Sequence, residues 1–185
     1  MDGQPISADL PAAATDQPLE RLTSLFSAHY DRLYRLARRL VSSTDDALDL
    51  VQETFVRVAG SPNSIPAGNA AEEAWLVRVL INIRRDEWRK AEVRNRYRSV
   101  AEGAGHESQG RHPETALIAR ATIWKALDLL PPRRRAIVVM HELDAVSVSE
   151  IASLLGINAI TVRWHLSAGR RQLGRALEFL MGASE

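Results

Sequence analysis

A chain of 185 residues, 45% apolar and 25% charged, can build one compact domain or two small ones but not a large single-core enzyme. It has no run of ~18 apolar residues to span a membrane and no basic-then-apolar leader for secretion. Without cysteine it excludes disulfides, thiol catalysis and Cys-ligated zinc, and suits a reducing cytoplasm.

The net charge of +1 conceals a gradient: −3 over residues 1–60, +1 over 61–110 and +3 over 111–185. Arg84 to Arg98 holds seven cations against three acids, and Ala159 to Arg175 holds four arginines and no acid. Two segregated cationic stretches in a near-neutral protein point to two contacts with a polyanion.

Residues 1–18 lack an apolar period and read as a disordered leader. From Leu19 to Val41 the spacing of Leu22, Leu25, Phe26, Leu33, Leu36, Ala37 and Leu40 predicts one amphipathic helix. Thr44 or Asp45 can cap a second, with Ala47, Leu50, Val51, Thr54, Phe55 and Val58 on its apolar side. Asp45, Asp46, Asp49, Gln52 and Glu53 then project outward as an acidic face. DNA would repel such a face, so it implies a basic protein partner.

Gly60, Pro62, Pro66 and Gly68 mark a loop. A third helix starts near Ala71, with Trp75, Leu76, Val79 and Ile83 apolar, and displays Asn82, Arg85, Asp86, Arg89 and Lys90 beside Trp88. Cations hold phosphates, Asn reads a base edge and an aromatic stacks on an unpaired base, a combination suited to strand separation. Residues 100–114 carry three glycines and a proline and read as a linker. Helices are expected at Ala116–Leu130, stopped by Pro131-Pro132, and at Arg133–Leu143.

Ser147-Val148-Ser149-Glu150 fits a capping box that opens a short helix; Gly156 allows a left-handed turn, and Asn158 can cap the next helix. That last helix buries Val162, Leu166, Gly169, Leu173 and Leu177 and carries Arg163, Arg170, Arg171 and Arg175 elsewhere. The pattern is a helix-turn-helix whose second helix can enter a major groove. Helical geometry puts Trp164 about 180° from the buried side, so it meets DNA or a protein partner. No segment alternates with period two, and the fold class is all-α: two small helical domains joined by a flexible linker, the C-terminal one holding the helix-turn-helix. The expected divisions are 1–18 leader, 19–99 first domain, 100–114 linker and 115–180 second domain.

The run from Ala126 to Leu177 resembles the DNA-binding region four of the extracytoplasmic-function (ECF) sigma factors of bacterial RNA polymerase. Leu130-Pro131, Ser147, Glu150-Ile151-Ala152, Leu155-Gly156-Ile157 and Thr161-Val162-Arg163 carry that likeness. Residues 45–58 and 74–90 are similar to region two of the same family, through Trp75-Leu76, Arg78, Asn82, Asp86, Arg89 and Lys90. The chain departs from the family at Leu80-Ile81, where small and basic residues are common, and at Trp164-His165, where Ser-Arg is common.

The resemblance implies an initiation factor that binds core RNA polymerase, recognises minus-ten and minus-thirty-five elements and assists melting. It puts polymerase contacts on Asp45, Asp46, Asp49, Gln52 and Glu53, against clamp helices of the largest subunit. Minus-ten contacts and melting fall to Asn82, Arg85, Asp86, Trp88, Arg89 and Lys90, and the loop from Ser61 to Ala70 would hold a flipped base. Minus-thirty-five contacts fall to Ser149, Glu150, Thr161, Arg163, Trp164, His165, Ser167, Arg170 and Arg171. An anti-sigma protein is a further candidate partner. No catalytic constellation, metal site or cofactor motif is present: the five histidines form no pair flanking a glutamate at i, i+4. The alternatives are a helix-turn-helix regulator binding an operator as a dimer, and a helical protein that sequesters a partner without DNA.

Overall fold

The computed structural model describes the backbone of residues 13–101 and 115–182, and side chains over 19–94 and 121–182. Seven α-helices and one 3-10 turn account for it, with no strand among the described residues. Residues 102–114 of the expected linker and residues 1–12 of the expected leader lie outside them.

Helix α1 (Ala13–Leu40) begins six residues before the apolar period does. Residues 13–18 include Ala13 and Ala14, good helix formers that leave no amphipathic signature. Ser43, not Thr44 or Asp45, caps α2 (Thr44–Ala59): its hydroxyl accepts from the Asp46 amide at 3.0 Å. A serine one residue earlier reaches the third helical amide, which frees the two acids for the first turn. The apolar stripe of α2 is buried as expected, and Thr54 is buried because its hydroxyl bonds the Leu50 carbonyl at 2.7 Å.

After the turn Pro62–Ser64, α3 (Asn69–Ala101) runs as one helix into the stretch that reads as linker. Leu76, Leu80 and Ile83 face α1 and α2, with Leu33, Leu40, Val51 and Val58 fully buried alongside.

The second bundle is α4 (Thr115–Asp128), α5 (Pro132–Glu142), α6 (Val148–Leu155) and α7 (Ala159–Gly182). Pro131 precedes α5 and Pro132 opens it, since neither can donate an amide to a helix interior. Ile137, Val139, Ile151 and Val162 form the centre of this core. The two bundles are not separate in space: α5 packs on α1 and α3, α6 packs on α3, and one apolar core runs through both.

Candidate nucleic-acid interface

The capping box at α6 is formed in full. The Glu150 amide donates to Ser147 Oγ at 3.2 Å and the Ser147 amide donates to the Glu150 carboxylate at 3.0 Å. Hydrogen bonding from the Ser147 side chain, and then from its amide, holds the Glu150 carboxyl below its ordinary 4.5. Ser149 Oγ lies 3.0 Å from Ser147 Oγ. Gly156 closes the helix at φ +62, a left-handed position that suits glycine. Asn158 Oδ1 then accepts from both the amide and the hydroxyl of Thr161, starting α7. Ser149, Glu150 and Thr161 thus hold the motif together.

On α7, Val162, Leu166 and Gly169 are buried, and Ile160, Arg163, Trp164, Ser167, Arg170 and Arg171 are exposed. The partners of these cations differ. Arg170 binds Glu142 at 2.7 Å and Arg171 donates to Ser167 Oγ at 2.8 Å. Trp164 is 57% exposed, yet it has a neighbour within its own domain. The Arg134 guanidinium sits 5.5 Å above its ring, and His165 meets the ring edge-on at 4.9 Å. Arg134 is itself positioned by Gln172, at 2.7 Å. His165 is half-buried, and burial together with Arg134 and Arg133 pushes its pKa below the ordinary 6.5.

In the first bundle, Asp45, Asp46, Asp49 and Gln52 are exposed on α2, and Glu53 is half-exposed and paired with Arg57 at 3.0 Å. Leu48 and Val56, 41% and 57% exposed, stand among them. On α3, Asn82, Arg89 and Lys90 are exposed, while Arg85 and Trp88 are half-buried. Asp86 is half-buried and, with Glu87 and Lys90, lines a groove of about 400 Å³ shared with Asp49, Gln52 and Glu53 of α2. Trp75 packs against the core.

Several residues that shape these surfaces leave no local signal in the sequence. Arg21 donates from α1 to the carbonyls of Ile65 and Pro66, 3.0 and 3.3 Å away, and so pins the loop before α3. Arg133 and Arg134 extend the cationic surface of α7 onto α5. Only exposed apolar residues spaced four apart or more on an acidic face could have flagged Leu48 and Val56. No cluster of three metal-ligating side chains occurs among the described residues, and no described helix is long and apolar enough to cross a membrane.

A helix-turn-helix with a cationic, tryptophan-bearing second helix, joined to a bundle that separates an acidic face from a basic one, defines a DNA-binding transcription protein. Residues 25–94 match the family model for sigma-70 region 2 and residues 120–173 that for sigma-70 region 4. The chain is 37% identical to ECF RNA polymerase sigma factor SigE of Mycolicibacterium smegmatis, over 80% of this chain and 58% of that longer protein. It is 33% identical to the RNA polymerase sigma-E factor of Streptomyces coelicolor, over 82% and 81% of the two chains. With SigL of Mycobacterium tuberculosis identity is 32%, over 91% and 94%. Among solved structures, the sigma factor RpoE in complex with the anti-sigma factor NepR from Bartonella quintana aligns at a TM-score of 0.54 and 25% identity, over 86% and 96% of the chains. The chain belongs to the ECF sigma factors, promoter-recognising initiation factors of RNA polymerase. A stand-alone operator-binding regulator is not favoured, because the N-terminal bundle itself matches region 2.

Proposed function

We propose that this sigma factor divides its work among three surfaces. The exposed face of α2, with Asp45, Asp46, Asp49, Gln52 and Glu53, docks on basic clamp helices of core polymerase. Leu48 and Val56 add apolar contact at its centre, the arrangement that gives an interface affinity as well as charge steering. Asp86, of the minus-ten set, lines the groove beside this face, as Lys90 does. The α3 face with Asn82, Arg85, Trp88, Arg89 and Lys90 engages the minus-ten element, and the Arg21-tethered loop receives an unpaired base.

On α7, Arg163, Trp164, Ser167 and Arg171 meet the minus-thirty-five element, with Arg133 and Arg134 beside them. The factor catalyses no reaction itself, acts in the cytoplasm, and has an anti-sigma protein as antagonist, as the Bartonella quintana relative does.

The observation that carries the reading is the segregation of exposed acids on α2 from exposed arginines and tryptophan on α7. Reversing Asp49 and Glu53 to Lys tests it. Both side chains stand off the apolar stripe, so helicity is retained, while association with core polymerase weakens roughly tenfold or more and run-off transcription falls with it. Unchanged co-purification at low and high salt would refute the docking face.

A further inference from the structure

Helix α7 carries two large apolar side chains in water, one turn apart. Ile160 and Trp164 are 75% and 57% exposed, on the side of the helix away from Val162, Leu166 and Gly169. Both sit in its first two turns, the end of a recognition helix that reaches base edges.

The indole does not swing free. The Arg134 guanidinium lies 5.5 Å over the ring, and His165 closes its edge at 4.9 Å. Arg134 donates to Gln172 Oε1 at 2.7 Å, and Gln172 Nε2 donates to the Leu129 carbonyl at 2.9 Å. A backbone carbonyl just past α4 thus fixes, through two side chains, a ring on α7. A side chain already held in place loses less rotamer freedom on binding, so more of its contact energy is left to discriminate between ligands.

The charges around the pair select the occupant. Arg163 and Arg171 are exposed on the same helix, Arg133 and Arg134 stand beside it on α5, and no acid occurs from Ala159 to Arg175. Such a surface fits a phosphate backbone. Ile160 offers no hydrogen-bonding group, and the indole offers one donor and no acceptor. In a major groove the apolar group that a base presents is the 5-methyl of thymine. Side chains one turn apart have Cβ atoms about 5–6 Å apart, a span of one to two base steps of about 3.4 Å.

We propose that Ile160 and Trp164 read the 5-methyl groups of one or two thymines in the minus-thirty-five element, and that Arg134 is the positioning residue that holds the indole for it. The proposal rests on the initiation-factor reading and names the base chemistry that α7 recognises.

Replacing thymine by deoxyuridine removes the methyl and keeps every hydrogen-bonding group of the pair. Holoenzyme assembled from this chain and core polymerase first selects promoters from a library randomised across the upstream element. Competition titrations then scan the selected duplex with deoxyuridine, one thymine at a time. At one or two neighbouring thymines, loss of the methyl should weaken binding about three- to fivefold, the worth of one buried methyl. Trp164→Ser should abolish that difference, and Ile160→Ser should reduce it. Arg134→Lys keeps a cation over the ring and should retain the ratio, whereas Arg134→Ala should lower it. An Arg134→Ala chain that binds thymine and deoxyuridine duplexes more weakly by the same factor would refute the positioning role.

A selected element without thymine, or one whose scan is flat or is unchanged in Trp164→Ser, would overturn the methyl contact and leave the initiation-factor reading standing. Holoenzyme that selects no sequence would strike that reading, and the methyl contact with it.

Discussion

Gly169 lies where α7 crosses α5, and a Cβ built there would stand 2.5 Å from Val138 Cγ2 and 3.3 Å from Arg134 Cγ. Val138 is buried and branched and cannot swing away, so Gly169→Ala should destabilise the chain by about 1–3 kcal/mol despite the better helix former. Gly174, one and a half turns on, has nothing within 4 Å of such an atom, and Gly174→Ala should stabilise by about 0.5–1 kcal/mol. Thermal unfolding of the two variants checks the opposite signs. His165 gives a pH test at the same scale. The unfolded ring binds a proton near 6.5, which the folded site resists, so stability falls as pH drops through 6.5 toward the lowered native value. His165→Gln should flatten that part of the stability curve, and denaturant midpoints across it measure the effect. For DNA, Trp164→Ser should change preference at one or two base pairs by about 1–3 kcal/mol each, whereas Arg171→Ala should weaken all sequences and lower the salt slope by about 1. A base-by-base competition titration separates them.

At the scale of elements, the helix-turn-helix owes its start to four local hydrogen bonds, which is why Ser147, Glu150, Gly156 and Asn158 announce it in the sequence. Ser147→Ala should cost about 1 kcal/mol and fray α6, read by amide exchange of Val148 to Ile151. The loop before α3 depends instead on Arg21, 44 residues from the carbonyl it holds. No periodicity reports such a bond, because spacing reveals which face of a helix is buried and nothing of what lies across from it. The same blindness hides a second buried face of α3, with Ala74, Val77 and Ile81: interleaved arginines break the apolar count, and Ile81 reads only as a departure from the family. The groove that Asp86 lines is hidden from the sequence for a related reason. Asp86 lies among cations along the chain, yet its direction on the helix takes it to the acids of α2.

For the whole molecule, a single apolar core means that the two bundles share stability, even though sequence divides them at residues 100–114. Residues 25–94 and 120–173 match separate family models, so each bundle has its own pattern of buried positions. The seam between the bundles adds Ala74, Val77 and Ile81 on one side and the buried Arg135 with Asp128 on the other. Burial pushes the Arg135 guanidinium down from its ordinary value, and the bond and charge of Asp128 oppose that shift. Loss of Asp128 would strand the buried Arg135 charge, a cost of roughly 3–5 kcal/mol by comparison with other buried pairs, whereas loss of Arg135 would leave Asp128 partly open to water. Coupling of this kind predicts one cooperative heat transition for the wild-type chain, with calorimetric and van't Hoff enthalpies equal. Ile81→Arg places a cation in the seam without touching Leu76, Leu80 or Ile83, so it should uncouple the bundles and leave each folded. The calorimetric trace should then resolve two transitions at lower combined stability while helical circular dichroism at 20 °C is retained. A single sharp transition in Ile81→Arg at the wild-type midpoint would show that the bundles do not stabilise one another.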